Sequence, residues 1–273
     1  QPAELAAAAR VGLLDQELRV RLVKRRCLGE VVPARDHRRQ ADEERQPRHQ
    51  HHQVAAAAAG DVALDAEDLG RAALDSIGHD FVLGSNGAGM GATTANLKGG
   101  LGSASVVLEN GVTIGAIVAV NALGRATMGE TPHFWAAPFE VGDEFGGRGI
   151  TPTLPNDCTT VRTKLDALEA GANTTIAAVA TDAILTKGEA KRLAVMAHDG
   201  LARALWPAHT PLDGDLVFAL STGQRKLENG LEDMVQMGAA AASCLARAIA
   251  RGIYHATPAD GDTLPTWQER FGS

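Results

Sequence analysis

Gly171-Ala172-Asn173-Thr174-Thr175-Ile176-Ala177-Ala178-Val179-Ala180-Thr181-Asp182 is the stretch on which the reading of this chain turns. A loop ending in Asn173 runs directly into an apolar segment that opens with two threonines, which places Thr174 at the mouth of a buried sheet. Taken alone the stretch is ordinary, because threonine suits strands and asparagine suits turns. Its surroundings give it more weight. Residues 187–205 carry Leu193, Met196, Ala197, Leu201 and Leu205 at helical spacing, interrupted by Gly200. Residues 211–222, PLDGDLVFALST, form a turn with two carboxylates, Asp213 and Asp215, feeding a strand over 216–220. Residues 230–252 make a final Ala-rich helix of core type, and an irregular tail is expected from Tyr254 onward.

Upstream, residues 104–109 and 112–121 are short, β-branched and separated by Asn110-Gly111, the pattern of a hairpin of buried strands. Before them lies a glycine-rich segment over 81–102, FVLGSNGAGMGATTANLKGGLG, where the backbone can take positive φ and approach a ligand closely. Its GAGMGA evokes a dinucleotide-binding loop but fails the pattern. GxGxxG needs glycine where Ala92 stands, and no acidic residue follows at the required distance. A glycine-loop nucleotide-binding protein is therefore a third-ranked alternative. Residues 124–166 are rich in glycine and proline and read as a long surface loop or linker.

The composition of the 273-residue, 28.4 kDa chain sets the outer limits. An apolar content of 45% is ordinary for a globular core, and no run of 18 or more uncharged apolar residues suggests a membrane span. A net charge of −7 removes the broad basic footprint that backbone-driven nucleic-acid binding needs. Cys27, Cys158 and Cys244 are few and far apart, signalling neither a disulfide framework nor a zinc site; with no signal-peptide pattern at the start, a cytoplasmic location is expected. The average hides a break in character. Residues 21–53 hold four of the nine histidines among many arginines, with almost no hydrophobic period, so residues 1–80 are expected to be atypical and partly disordered. His49, His51 and His52 suggest a metal-binding tract only by a spacing that low complexity also produces. A helix is compatible with residues 3–23 and another with 61–74.

GAGMGATT and LKGGLGSAS, the strand VAVNALG, the junction GANTTIAAVATDA, the helix AKRLAVMAHDGLARAL and the turn DGDLVFALSTG occur in an order that resembles the L-aminopeptidase/D-esterase family. That family includes the β-aminopeptidases and the endo-type 6-aminohexanoate-oligomer (nylon oligomer) hydrolases, and the likeness covers roughly residues 81–250. The resemblance implies an α/β fold, a four-layer α/β/β/α sandwich that cuts its own backbone and exposes a new N-terminal Ser or Thr as nucleophile. By analogy the scissile bond is Asn173-Thr174. It divides the catalytic domain into a first part, residues 81–173, and a second, residues 174–273.

A threonine hydroxyl is a weak nucleophile until a base takes its proton. The resemblance makes Thr174 nucleophile and base at once, since cleavage frees an α-amine with an ordinary pKa of about 7.7 to 8.0 a few bonds from Oγ. It also implies that Asn121 donates to the oxyanion, a kind of contact worth about 3 to 4 kcal/mol in other hydrolases. Lys98 would hold transition-state charge or help orient Thr174. Asp213 and Asp215 form an acidic pair in which one orients the Thr174 hydroxyl or amine and the other supports it. Read without the resemblance, Asn121 is a strand-ending turn residue, Lys98 a solvated lysine and the Asp pair a turn in water. Thr at 174 with Asp at both 213 and 215 is closest to the nylon-oligomer branch.

The expected substrate is thus a small peptide or an ω-amino-acid oligoamide, the expected assembly a homo-oligomer of processed αβ protomers, and no metal or organic cofactor is needed by this chemistry. One departure stands against the pattern. The family carries an N-terminal block with a tyrosine near the active site, whereas residues 1–60 show nothing similar and the one tyrosine is Tyr254. A truncated or frame-shifted N-terminal part, and with it an unprocessed or inactive relative, is the second expectation.

Overall fold

The computed structural model describes residues 66–75, 78, 80–166 and 173–272. The Arg/His-rich tract, its three clustered histidines and the helix expected over 3–23 lie outside the described residues. Strands β1 (Gly100–Val107), β2 (Thr113–Val120), β3 (Ile176–Ala183) and β4 (Leu216–Arg225) form one mixed sheet in that order. The first three pair antiparallel and β4 runs parallel to β3. The helices are α1 (Ala66–Asp75), α2 (Lys187–Ala197), α3 (Asp199–Ala204), α4 (Gly230–Tyr254) and α5 (Trp267–Phe271). The hairpin between β1 and β2 turns where expected. Gly111 takes φ +79°, and the Val112 N–H donates to Asn110 Oδ1 at 3.0 Å.

Period-two alternation in β2 sends Ile114, Ala116, Val118 and Val120 to one face, where Ala177 and Val179 of β3 join them in the core. Helix α4 lays Met237, Ala241, Leu245, Ala248 and Ile249 over that face at helical spacing. Small residues decide how close it comes. A Cβ on Gly102 would stand 1.8 Å from the Ala248 carbonyl oxygen. Helix α3 docks in the same manner, since a Cβ on Gly200 would stand 2.5 Å from the Ala242 carbonyl oxygen. Gly200 is therefore a packing residue inside α3 rather than the interruption; the helical segment breaks at His198, which ends α2 and precedes α3. Thr186 and Glu189 start α2 with a capping box.

Two expectations need correction. Residues 124–166 are not a surface linker: Arg125, Ala126, Thr127, Phe134, Ala136 and Phe145 are buried, and Arg125 donates to the Asp157 carboxylate at 3.0 Å and to the Asp157 and Cys158 carbonyls. Glycine and proline here shape an ordered loop whose apolar side chains join the core. Nor is the chain after Tyr254 an irregular tail. Trp267, in α5, is buried, stacks on Phe134 at 6.0 Å and donates Nε1–H to the Pro132 carbonyl at 3.1 Å, which pins the long loop from below.

The other face of the sheet is different in kind. Ile117, Ile176, Leu216, Phe218 and Leu220 are exposed there, Phe218 at 57%. Register places Ile117, Ala178 and Phe218 in one row across β2, β3 and β4, with Ala119, Ile176 and Leu216 in the next. The described residues thus supply one sheet layer and one helical layer. Among them no helix is long and apolar enough to cross a membrane.

Candidate active site

Antiparallel pairing brings the end of β2 beside the starts of β1 and β3, and parallel pairing brings the start of β4 to the same place. Lys98, Asn121, Asn173, Thr174, Asp213 and Asp215 all precede or follow strands at this one end of the sheet. The geometry tightens at the lead into β3. An isolated parallel bridge joins Asn173 to Asp213, the Gly214 N–H donates to the Asn173 carbonyl at 2.9 Å, and the Leu216 N–H donates to the Thr175 carbonyl at 3.0 Å.

Asn173 is buried, Thr174 is half-buried and Thr175 is fully enclosed. The Thr174 hydroxyl donates to the Asn173 carbonyl oxygen at 2.6 Å, so the candidate nucleophile and the candidate scissile carbonyl are in contact. That carbonyl accepts two donors, the hydroxyl and the Gly214 N–H. A Cβ on Gly214 would stand 2.7 Å from Thr174 Oγ1, so a larger residue there would have to displace that hydroxyl. The Thr174 N–H donates to the Asn121 carbonyl at 3.0 Å, which ties Thr174 to the end of β2.

Asn121 is held in one orientation. Its Oδ1 accepts the Thr93 N–H at 3.1 Å and the Lys164 ammonium at 2.7 Å, which assigns Oδ1 as the acceptor end of the amide and leaves Nδ2 as the donor. Lys164 is buried, and burial pulls its pKa down to about 8 against the opposing pull of the Asp213 charge. Asp213 is occupied by backbone. Its Oδ1 accepts the Leu123 N–H at 3.1 Å, and Oδ2 accepts both the N–H and the hydroxyl of Thr210 at 3.0 and 2.8 Å. Asp213 thereby fixes the chain just after Asn121, whereas Asp215 fixes the chain just after Thr174. Asp215 Oδ1 accepts the Thr175 N–H at 2.9 Å, and its Oδ2 faces His209 Nδ1 at 3.0 Å. Lys98 is buried and its ammonium is engaged by Asp262 at 2.5 Å, on the segment leading to α5.

A profile of peptidase family S58 matches residues 30–265. The chain belongs to peptidase family S58. Over 214 residues the S58 chain is 39% identical to an uncharacterized aminopeptidase of Mycobacterium tuberculosis, the match covering 75% of this chain and 61% of that protein. A similar protein of Mycobacterium leprae is 38% identical over 230 residues, covering 80% and 58%. This S58 chain thus spans about three fifths of the length of these relatives. The beta-peptidyl aminopeptidase BapA of Sphingosinicella microcystinivorans is 30% identical over 149 residues, covering 54% of this chain and 35% of its own. Among solved structures, the l-aminopeptidase d-ala-esterase/amidase of Ochrobactrum anthropi, described as a variant of the Ntn hydrolase fold, aligns with a TM-score of 0.50 and 25% identity. The alignment covers 71% of the S58 chain and 51% of that one.

Three participants in this constellation were not foreseen from sequence. Lys164 sits in a segment read as a linker, and nothing local distinguishes it from a solvated lysine. His209 and Thr210 directly precede the Asp213-Gly214-Asp215 turn, and the Thr-x-x-Asp spacing is a turn signal that could have been read. The glycine-rich segment does not form a nucleotide cradle. Gly87–Gly89 is a single 3-10 turn, and the chain continues into β1 rather than into a helix whose N-terminus would meet a pyrophosphate. Among the described residues no group of three or more His, Cys, Asp and Glu side chains is arranged to hold a metal ion.

Proposed function

We propose that this chain is a self-cleaving amide hydrolase whose nucleophile is Thr174, freed by cleavage of the Asn173-Thr174 bond. The observation that carries the reading is the Thr174 hydroxyl at 2.6 Å from an Asn173 carbonyl oxygen that also accepts the Gly214 N–H. In the uncut chain Oγ attacks the Asn173 carbonyl carbon, and the Gly214 N–H steadies the oxygen as it gains charge. The hydroxyl proton passes to the Thr174 nitrogen as the C–N bond breaks, leaving an ester between Asn173 and Thr174 Oγ. Water hydrolyses the ester to the Asn173 carboxylate and restores the hydroxyl. The new α-amine, beside the Asn121 carbonyl, then serves as base when Oγ attacks a substrate amide.

Asn121 Nδ2 is the oxyanion donor in that second reaction, oriented by Lys164 on its Oδ1. Asp213 and Asp215 hold the two backbone segments that flank the nucleophile. Lys98 supports the glycine-rich turn through its ion pair with Asp262. The substrate is a small peptide or an oligoamide of ω-amino acids; Thr174 with two aspartates favours the nylon-oligomer type, and the S58 relatives named aminopeptidases favour cleavage from a peptide N-terminus. The exposed apolar rows of the sheet suit a second sheet layer, as in a four-layer sandwich of processed αβ protomers. A cytoplasmic, homo-oligomeric enzyme needing no cofactor completes the reading.

Intact mass spectrometry of the purified chain tests it: a 100-residue fragment beginning at Thr174 is expected, and the Thr174→Ala chain should stay whole. The open apolar face favours a second reading, an uncut and inactive relative. A folded wild-type chain that remains at full mass would establish that alternative.

A further inference from the structure

The Asp215 side chain is enclosed at this end of the sheet, with 3% of it exposed. A carboxylate so enclosed needs a donor on each oxygen. Oδ1 has the Thr175 N–H, and Oδ2 has His209 Nδ1 at 3.0 Å. His209 reaches that position at a cost in backbone strain. Its φ is +53°, the one non-glycine residue in the left-handed region among the described residues. Such a conformation persists only where its surroundings over-determine it, and it collects at functional sites. A second imidazole is adjacent: His198, between α2 and α3, has its ring 5.2 Å from that of His209. Burial, then the neighbouring His209, pushes the His198 pKa down against the opposing pulls of Asp215 and Asp199.

We propose that His209 is a positioning residue for the nucleophile, acting through Asp215. The imidazole holds Oδ2, the other oxygen then holds the Thr175 N–H, and the backbone of Thr175 sets where the neighbouring Thr174 hydroxyl meets the Asn173 carbonyl. No bond is made or broken by His209. Its loss frees one oxygen of a buried anion, which turns or gathers water, and the lead into β3 slackens. This inference rests on Thr174 being the nucleophile for its kinetic arm and stands without that reading for its structural arm.

His209→Gly is the decisive variant, since glycine accepts φ +53° and removes the whole side chain, imidazole included, without new strain. Maturation of the full chain, followed by intact mass, is expected to slow about tenfold, the change that losing one interaction of roughly 1.4 kcal/mol produces. Added imidazole should restore part of the rate. His209→Asn, which tolerates the left-handed conformation and keeps an N–H donor, should fall between. Hydrogen exchange read in the Thr174→Ala background supplies the arm that needs no cleavage: Thr175 amide protection should drop in His209→Gly while β2 and α4 exchange as before. Unchanged Thr175 protection overturns the proposal, as does a loss of protection spread over the whole sheet. Wild-type chain that never cleaves overturns the reading of Thr174 instead, and Thr175 exchange alone then decides for His209.

Discussion

On the helix-covered side of the sheet Leu193, Leu201, Leu245 and Ile249 have no exposed surface, and helices lie so close to strand backbone that Gly102 and Gly200 cannot carry even a methyl group. At the Thr174 end the contacts are polar and mostly to backbone: Asp213 on Leu123 and Thr210, Asp215 on Thr175, Gly214 on Asn173. The first region is held by volume, which any side chain of the right size and shape supplies. The second is held by direction, which only particular donors and acceptors supply. Thr174 and Thr175 bring the contrast to adjacent residues. One presents its hydroxyl to a carbonyl, while the other buries a hydroxyl, Oγ1, with no hydrogen-bond partner among the described residues.

Substitutions separate the two regions, and the largest effect belongs to a single hydroxyl. Thr174→Ala should abolish chain cleavage, measured by intact mass, and leave the thermal transition in place. Leu245→Ala should do the reverse. It removes side-chain volume from the centre of α4, costs about 2 to 5 kcal/mol in urea unfolding, and leaves the cleavage site unchanged in folded chain. Cleavage lost in folded Leu245→Ala protein would show that the two regions are not separable.

Lys164→Met tests the polar end more finely. It removes the ammonium donor from Asn121 Oδ1, so turnover of an amide substrate should fall with little change in KM, as expected where a transition-state contact is weakened. Its pH signature has a definite sign. With the folded pKa at about 8 and an ordinary lysine near 10.5, the unfolded chain holds the proton between those values while the folded chain releases it. Stability contributed by this group therefore rises with pH from about 8 to 10.5 and is flat below, and Lys164→Met should remove that rise from urea midpoints measured across the window. Smallest of all, Thr175→Val replaces an unpartnered buried hydroxyl by a methyl and should be neutral or stabilising by about 1 kcal/mol. A large loss would mean that the hydroxyl has a partner in the working protein.

The packed side was readable in advance to a useful degree. The hairpin at Asn110-Gly111, the helix after Thr186 and the Ala-rich helix α4 follow from local periodicity and turn chemistry. Residues 124–166 were not, because their apolar residues follow no period; Phe134 is stacked on by Trp267, more than a hundred residues later in sequence, and Phe145 packs edge-on against Phe134. At the polar end, the motif order pointed to Thr174, Asn121, Asp213 and Asp215, and the chain does bring them to one end of the sheet. How they connect was not legible. Asp213 and Asp215 look equivalent in a DGD turn, yet the Thr210 turn captures one and the lead into β3 captures the other.

Local order along the chain was determined by the sequence alone, since strand alternation, caps and tight turns depend on neighbours a few residues apart. The tertiary structure alone decided which polar groups meet Thr174. Lys164 reaches Asn121 across 43 positions, and Leu123 donates to Asp213 across 90. Such pairings exist only after strands β2, β3 and β4 have converged, because a hydrogen bond requires donor and acceptor within about 3 Å and no pattern in the sequence encodes that approach.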